Sequence, residues 1–433
     1  MTPTMIGILG LLSLFVFIFS NLPVGFVMAI IGFIGFSHLI SVDSALNLLA
    51  VDIFDVFGSY NLTVIPLFVF MGQIAFHSGI SSRLFRTAYA FMGHWPGGMA
   101  IATIGACTGF SAISGSTNAT AATMAAVALP EMKKYGYADE LAAGVVAAGG
   151  TMGILIPPSV VFILYGIMTE QSIGKLFVAG ILPGLLLTVL FIATVVVWTR
   201  MHPDLAPKGP KTDLKEKLAS LSGLVETLLL FVLVMGGMFI GVFTPNEAGS
   251  VGSFGALVIA LARRNLTFKA FMQALADTTK ISCMVLVIVA GATIFGHFLA
   301  VTRIPFDIAN WVVGFDLPSW AIMCLIILVY IIGGCFIDAL ALIMLTVPIF
   351  YPVINTLGFD PVWFGVVIVL ITQIGVITPP VGINVYVVKG VAKEVPLQTI
   401  FKGALPFLMA LILGTLLMMP FPQIALFLPG FMK

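Results

Sequence analysis

Apolar runs of about 20 residues, each long enough to cross roughly 30 Å of hydrocarbon, recur from one end of this chain to the other. In lipid every backbone N–H and C=O must find a partner inside the protein, which leaves only helices and closed barrels. The runs do not alternate with a period of two, so a barrel is set aside. Charged residues are 9% and hydrophobic residues 60% of the 433, against about 25% charged in a soluble domain. An all-α polytopic membrane protein, held in a lipid bilayer, is expected. The net charge of +1 and the lack of a basic domain give no footing for nucleic acid. Cys107, Cys283, Cys324 and Cys335 are scattered, with no C-x-x-C pair, so neither a disulfide framework nor a zinc site is expected. The first run, 5–19, lacks a basic leader and an A-x-A-like cleavage site and reads as a retained span.

One long polar segment, 199–222, divides the chain into 1–198 and 223–433. Spans in the first part fall near 4–21, 24–40, 62–79, 139–168 and 174–198, with a longer run at 98–131. The second part gives 223–243, 245–262, 281–301, 361–390 and 397–419, with a longer run at 318–352. Both longer runs are interrupted, by SAISGSTN (111–118) and by GGCFID (333–338). Their halves of about 15 residues are short for full spans and favour re-entrant hairpins. With segment 199–222 in the cytoplasm, sixteen Lys and Arg fall inside, while Lys175, Arg303 and Lys433 fall outside. That is a strong positive-inside bias, and it puts both termini outside. Two short crossings per run give the same sides; only a single crossing is excluded.

A shift of 222 residues lays Pro23 on Pro245, Pro96 on Pro318, Pro130 on Pro352, and Pro157 and Pro158 on Pro379 and Pro380. Gly153 then meets Gly375, and Ser116 meets Asp338. Five crossings is an odd number, so the second copy is inverted. Inverted repeats with broken helices at matching positions point to the midplane site of a secondary transporter. Duplication kept for packing alone is the alternative.

A break in lipid is tolerated only where it lines a cavity or is buried in protein. Freed carbonyls and hydroxyls suit a hard cation, and half-helix N-termini suit an anion. One site would join the tip 111–118 to the break 153–156, and a second the tip 334–338 to 373–378. Ser114 and the carbonyls of 153–156 are candidate cation ligands in the first, and Asp338 and the oxygens of 373–378 in the second. The candidate substrate residues are Ser116, Asn118, Ser159, Arg303, Asp338 and Asn384. Asp338 is the only carboxylate in 319–356; an acid at that depth is functional by default, the alternative being a partnered acid that organises packing. Arg303 reads either as a contact for a substrate carboxylate or as a headgroup anchor. Glu247 is a functional acid or a helix-start residue, and Glu226, at the linker edge, is read as solvated. The five histidines show no paired spacing. No H-E-x-x-H, G-x-S-x-G or P-loop occurs, so neither an enzyme nor an ATP-driven pump is expected, and no organic cofactor.

GFSAISGSTNATAATMAAVALPEMKKYGY (109–137), GGTMGILIPPS (149–159), FTPNEAGSVG (243–252) and GVITPPVGIN (375–384) together closely resemble the large membrane subunit of tripartite ATP-independent periplasmic (TRAP) transporters. The resemblance spans essentially the whole chain and is to a stand-alone large subunit rather than a fusion. It implies an inverted-repeat elevator transporter of the bacterial inner membrane, with two re-entrant helical hairpins and two broken helices. It implies Na⁺-coupled uptake of a carboxylate-bearing organic acid, of the sialic acid or C4-dicarboxylate type. A periplasmic binding protein would deliver the substrate, and a small four-helix membrane subunit would be the second partner. At least two Na⁺ are expected, at positions matching Ser114, Ser116, Gly153, Ile156, Asp338, Gly375 and Thr378. A self-sufficient Na⁺/dicarboxylate symporter, and a passive channel or scaffold, remain as alternatives.

Overall fold

A computed structural model describes residues 2–18, 22–207, 209, 213–314 and 318–432. Lys208, Lys211 and Lys433, and the end of the first expected span at 19–21, lie outside the described residues. Every regular element among the described residues is helical, as the backbone constraint in lipid requires.

The first half lays down Pro3–Ile18, Val24–Leu39, Val42–Gly58, Val64–His77 and Ile80–Met92 before a hairpin of Gly98–Ser114 and Thr117–Lys134. A broken helix follows, Asp139–Thr151 and Val160–Thr169, and then Ile173–Met201. The second half begins with Leu214–Phe231, Pro245–Ala262, Phe268–Thr302 and Ile304–Gly314. Its hairpin is Ser319–Gly334 and Ala339–Thr356, its broken helix Pro361–Ile377 and Ile383–Val391, and its last long helix Leu397–Met418. Thr117–Lys134 and Ala339–Thr356 begin and end 222 residues apart. The glycines that follow them, Gly136 and Gly358, turn the chain with φ of 74° and 76°, a region that glycine enters at little cost.

Several helices are absent from the hydropathy reading because they carry charge. Val42–Gly58 holds Asp43, Asp52 and Asp55, and Ile80–Met92 holds Arg83 and Arg86. Thr267 caps a helix that starts well before the expected span 281–301 and runs 35 residues, about 52 Å. The related segment of the first half bends by 53° after Val42–Gly58, where Gly58 and an extended Ser59 interrupt it. Ile173–Met201 and Leu214–Phe231 both enter the polar segment 199–222. The four hairpin arms are 16 to 18 residues long, longer than the expected halves; in the two second arms helix continues through Pro130, Pro348 and Pro352. Among the described residues five helices are long and apolar enough to cross a membrane, or six if the bent pair is one span. The runs 139–168 and 361–390, expected to be broken, are each two shorter helices in series.

Glycines set the closest crossings. Gly25 and Gly32 bring Val24–Leu39 against the backbone of Phe268–Thr302 at Ile288 and Phe295, and Gly144 meets Gly403 between Asp139–Thr151 and Leu397–Met418. Small residues allow membrane helices this approach. Gly223 does the same for Leu214–Phe231 against the backbone of Arg83. Glu226, three residues on, is buried, which corrects its reading as solvated. It accepts from Arg83 Nη2 at 2.7 Å and Nε at 3.1 Å. Arg263 Nε lies 2.7 Å from its other oxygen, close enough for charge attraction but not aimed as a hydrogen bond. The apolar residues around it in sequence turn Glu226 inward, and two arginines meet it there. Glu247 is a helix-start residue: it closes a capping box with Thr244, whose N–H donates to Glu247 Oε2 at 2.8 Å.

Candidate functional site

The first hairpin turns at Gly115, with φ 61°. A β-carbon there would lie 2.8 Å from the carbonyl oxygen of Pro158, so the proline pair of the broken helix sits against the tip. Ser116 then caps Thr117–Lys134, accepting from Ala119 N–H at 3.4 Å. Thr120 Oγ1 donates to the Ser116 carbonyl at 2.9 Å. With that proton spent, Ser114 Oγ is the donor in its 2.8 Å contact with Thr120 Oγ1. Both lone pairs of Ser114 stay available for a cation. Gly153 stands against the Ser116 carbonyl, where any side chain would displace the tip.

The second tip repeats this plan with different chemistry. Asp338 caps Ala339–Thr356, its Oδ2 accepting from Leu340 N–H at 3.0 Å. Gly375 packs on the backbone of Gly334, as Gly153 does on the first tip. Val381 N–H donates to the Cys335 carbonyl at 3.3 Å, fastening the second break to its tip.

The two tips meet on one cavity of about 80 Å³. Ser114, Ser116 and Asn118 line it from the first tip, and Asp338 and Leu340 from the second. The facing side is Val69, Gly72 and Gln73 of Val64–His77, with Ile281, Met284 and Val285 of Phe268–Thr302. Two 18-residue helices start on this cavity, so two positive dipole ends point into it. Among the described residues Asp338 is its only charged side chain. No group of three or more His, Cys, Asp or Glu comes together among the described residues. The oxygen donors at the tips, hydroxyls, carbonyls and one carboxylate, match a hard cation rather than a transition metal.

Thus Ser114, Ser116, Asn118 and Asp338 gather on the cavity, and Gly153 and Gly375 seat the tips behind it. The other candidates do not line it. Ile156 packs its side chain on Gly184, and Thr378 Oγ1 donates back to the Ile374 carbonyl. Ser159 is fully buried beside the first tip, its hydroxyl without a hydrogen-bond partner. Asn384 reaches across to the first half, where Nδ2 donates to the Ala147 carbonyl at 3.1 Å, and its Oδ1 is unmatched. Arg303 is exposed at the end of Phe268–Thr302, its guanidinium 5.4 Å over the Phe306 ring. Sequence reasoning missed Gln73. Its signal was a lone carboxamide in the apolar run VIPLFVFMGQIAF (64–76).

The family model for the tripartite ATP-independent periplasmic transporter, DctM component, matches residues 11–424. The C4-dicarboxylate TRAP transporter large permease protein DctM of Pseudomonas aeruginosa is 37% identical over 395 residues, covering 91% of this chain and 92% of that one. The sialic acid TRAP transporter large permease protein SiaM of Vibrio cholerae is 34% identical, covering 99% of this chain and 98% of that one. Among solved structures, the YdaH transporter of Alcanivorax borkumensis shares the fold, with a TM-score of 0.65 at 15% identity over 90% of this chain and 89% of that one.

Proposed function

The chain belongs to the DctM component family of tripartite ATP-independent periplasmic transporters, and from that premise we propose that it imports a carboxylate-bearing organic acid, of the C4-dicarboxylate or sialic acid type, by Na⁺-coupled secondary transport. It is a multi-pass membrane permease and not an enzyme. A tripartite system gives it a small permease subunit and a periplasmic binding protein as partners. We further assign the small subunit four helices, and this chain to the bacterial inner membrane with segment 199–222 in the cytoplasm and both termini in the periplasm.

The observation that carries the reading is the cavity shared by both tips. Its two helix N-termini favour an anion, yet its one charged side chain is a carboxylate. A substrate carboxylate about 6 Å from Asp338 would meet roughly 3 kcal/mol of repulsion at an effective dielectric of 20. Helix ends offset about 0.3–1 kcal/mol each, more when partly buried. With no Lys or Arg on the lining among the described residues, the remaining compensation falls to a cation that enters with the substrate. Na⁺ held by Asp338 neutralises the acid and makes the two solutes bind together, which is the coupling that symport needs. The Ser114 and Ser116 tip, with the break at Gly153, supplies a second seat built from neutral oxygens, so at least two Na⁺ are expected. The tips, broken helices and last long helices would slide as one body against Val24–Leu39 and Phe268–Thr302, the elevator mechanism.

The test is uptake into proteoliposomes that hold this chain and its small subunit. Accumulation of a C4-dicarboxylate or a sialic acid is expected only with the binding protein and Na⁺ both outside. Accumulation without the binding protein would favour the self-sufficient symporter. Downhill flux indifferent to Na⁺ would favour a passive channel.

A further inference from the structure

Gln73 lies on Val64–His77, is 8% exposed, and lines the cavity between the tips. Its companions on that wall, Val69, Gly72, Ile281, Met284 and Val285, are apolar or lack a side chain. Among the described residues every other polar side chain on the lining belongs to a hairpin tip. The wall and the first tip are in contact here: a β-carbon on Gly72 would lie 3.0 Å from Ser114 Cα and 3.1 Å from its carbonyl oxygen. The Gln73 carboxamide offers two N–H donors and an acceptor oxygen. Among the described residues it makes no hydrogen bond within the protein. Its polar atoms are not sealed inside the protein but open onto the cavity, so their match comes from whatever the cavity holds.

We propose that the match is the transported molecule: Gln73 is a specificity residue that reads a hydroxyl or amide group of the substrate, apart from the carboxylate held at the tips. The inference rests on the carboxylate reading of the same cavity and divides the recognition by chemistry. The helix N-termini carry positive potential and take the charged group. A carboxamide is neutral and both gives and accepts, so it suits a neutral group that does the same. Because Gln73 stands on the wall rather than on a tip, its bond must break when the tips carry the substrate away.

The experiment is Gln73→Met, similar in length and apolar, in the complete three-component system under an inward Na⁺ gradient. The probes are N-acetylneuraminate, malate and succinate; malate differs from succinate by one hydroxyl. For whichever hydroxyl- or amide-bearing probe is imported, KM is expected to rise about tenfold, the loss of one buried hydrogen bond. Maximal velocity should stay within about twofold, and succinate kinetics should not change. The variant should also melt no lower than the native protein without substrate, since it removes an unmatched amide. An unchanged KM for every imported probe overturns the proposal. So does a lower melting temperature with velocity falling in step, which marks a structural residue, and so does import of succinate alone. If the native complex imports none of the three, the carboxylate reading fails first and this inference falls with it.

Discussion

Replacing Asp338 with asparagine separates charge from geometry. The side chain caps Ala339–Thr356 through Oδ2 and Leu340 N–H at 3.0 Å. Asparagine accepts the same bond, and the two residues are equivalent N-caps, so the fold should hold. A monovalent cation about 4 Å from a carboxylate gains roughly 4 kcal/mol at an effective dielectric of 20. At about 1.4 kcal/mol per decade that is nearly a thousandfold in affinity, and ion desolvation returns part of it. A rise of about a hundredfold in the Na⁺ concentration for half-maximal uptake is therefore expected. Melting gives a second measure. Na⁺ at a hundred times its dissociation constant stabilises the folded protein by about 2.7 kcal/mol, and a hundredfold weaker site leaves about 0.4 kcal/mol. Substrate binding in Na⁺-free buffer should move the other way, because the repulsion has been removed. An unchanged Na⁺ requirement, or weaker Na⁺-free substrate binding, would refute the assignment of Asp338 as the charge that couples the two solutes.

Gly375→Ala should abolish Na⁺-dependent uptake, because its β-carbon meets the backbone of Gly334 and lifts the second tip; Gly390→Ala, with open space around it, should transport normally in the same assay. Glu226→Ala leaves Arg83, 19% exposed, without its buried partner and should cost about 3 kcal/mol, read as a lower melting temperature in detergent; equal melting would show the cluster to be idle. Lys133→Met should lower melting near neutral pH only slightly, since Lys133 and Glu394 are 61% and 62% exposed at their 3.0 Å contact and exposed pairs contribute little. The Lys133 hydrogen bond and charge hold the Glu394 carboxyl below its ordinary range. Any contribution of that pair is present above the unfolded carboxylate pKa and is lost as pH falls through the lower folded one, so native and variant melting curves should converge in acid.

What the sequence could disclose depended on whether a residue's neighbours along the chain matched its neighbours in space. Both hairpin turns lie where glycine and hydroxyls, or glycine and one acid, interrupt an apolar run, so Ser114, Ser116, Asn118 and Asp338 could be found from pattern alone. Gly153 and Gly375 were singled out as cation ligands; the repeat aligned them, and their packing on the backbone of the two tips was not legible, because it depends on a chain segment distant in sequence. Val42–Gly58 and Ile80–Met92 were lost, since span detection rewards uniform hydropathy and these helices are amphipathic. Glu226 was misread for a related reason: a carboxylate beside a polar segment looks solvated until the arginines from two other helices are in place. Gln73 was invisible as a site residue because the tips it faces come from residues far away in the chain. Its only local trace was being polar where every neighbour was not.

The repeat also explains why the two tips should differ. Ser116 and Asp338 occupy the same position, each capping the second arm of its hairpin, and both line the same small cavity. A second carboxylate at the Ser116 position, about 8 Å across such a cavity, would add roughly 2 kcal/mol of repulsion at an effective dielectric of 20, besides the cost of burying another charge. It would also repel the proposed substrate anion from both sides. A serine keeps the cap and a cation-ready oxygen without the charge. The asymmetry makes one proposed cation seat charge-compensating and the other neutral. Only the first changes the electrostatics the substrate meets. The two tips share one plan, and breaking it at one residue pair leaves room for the proposed anion between them.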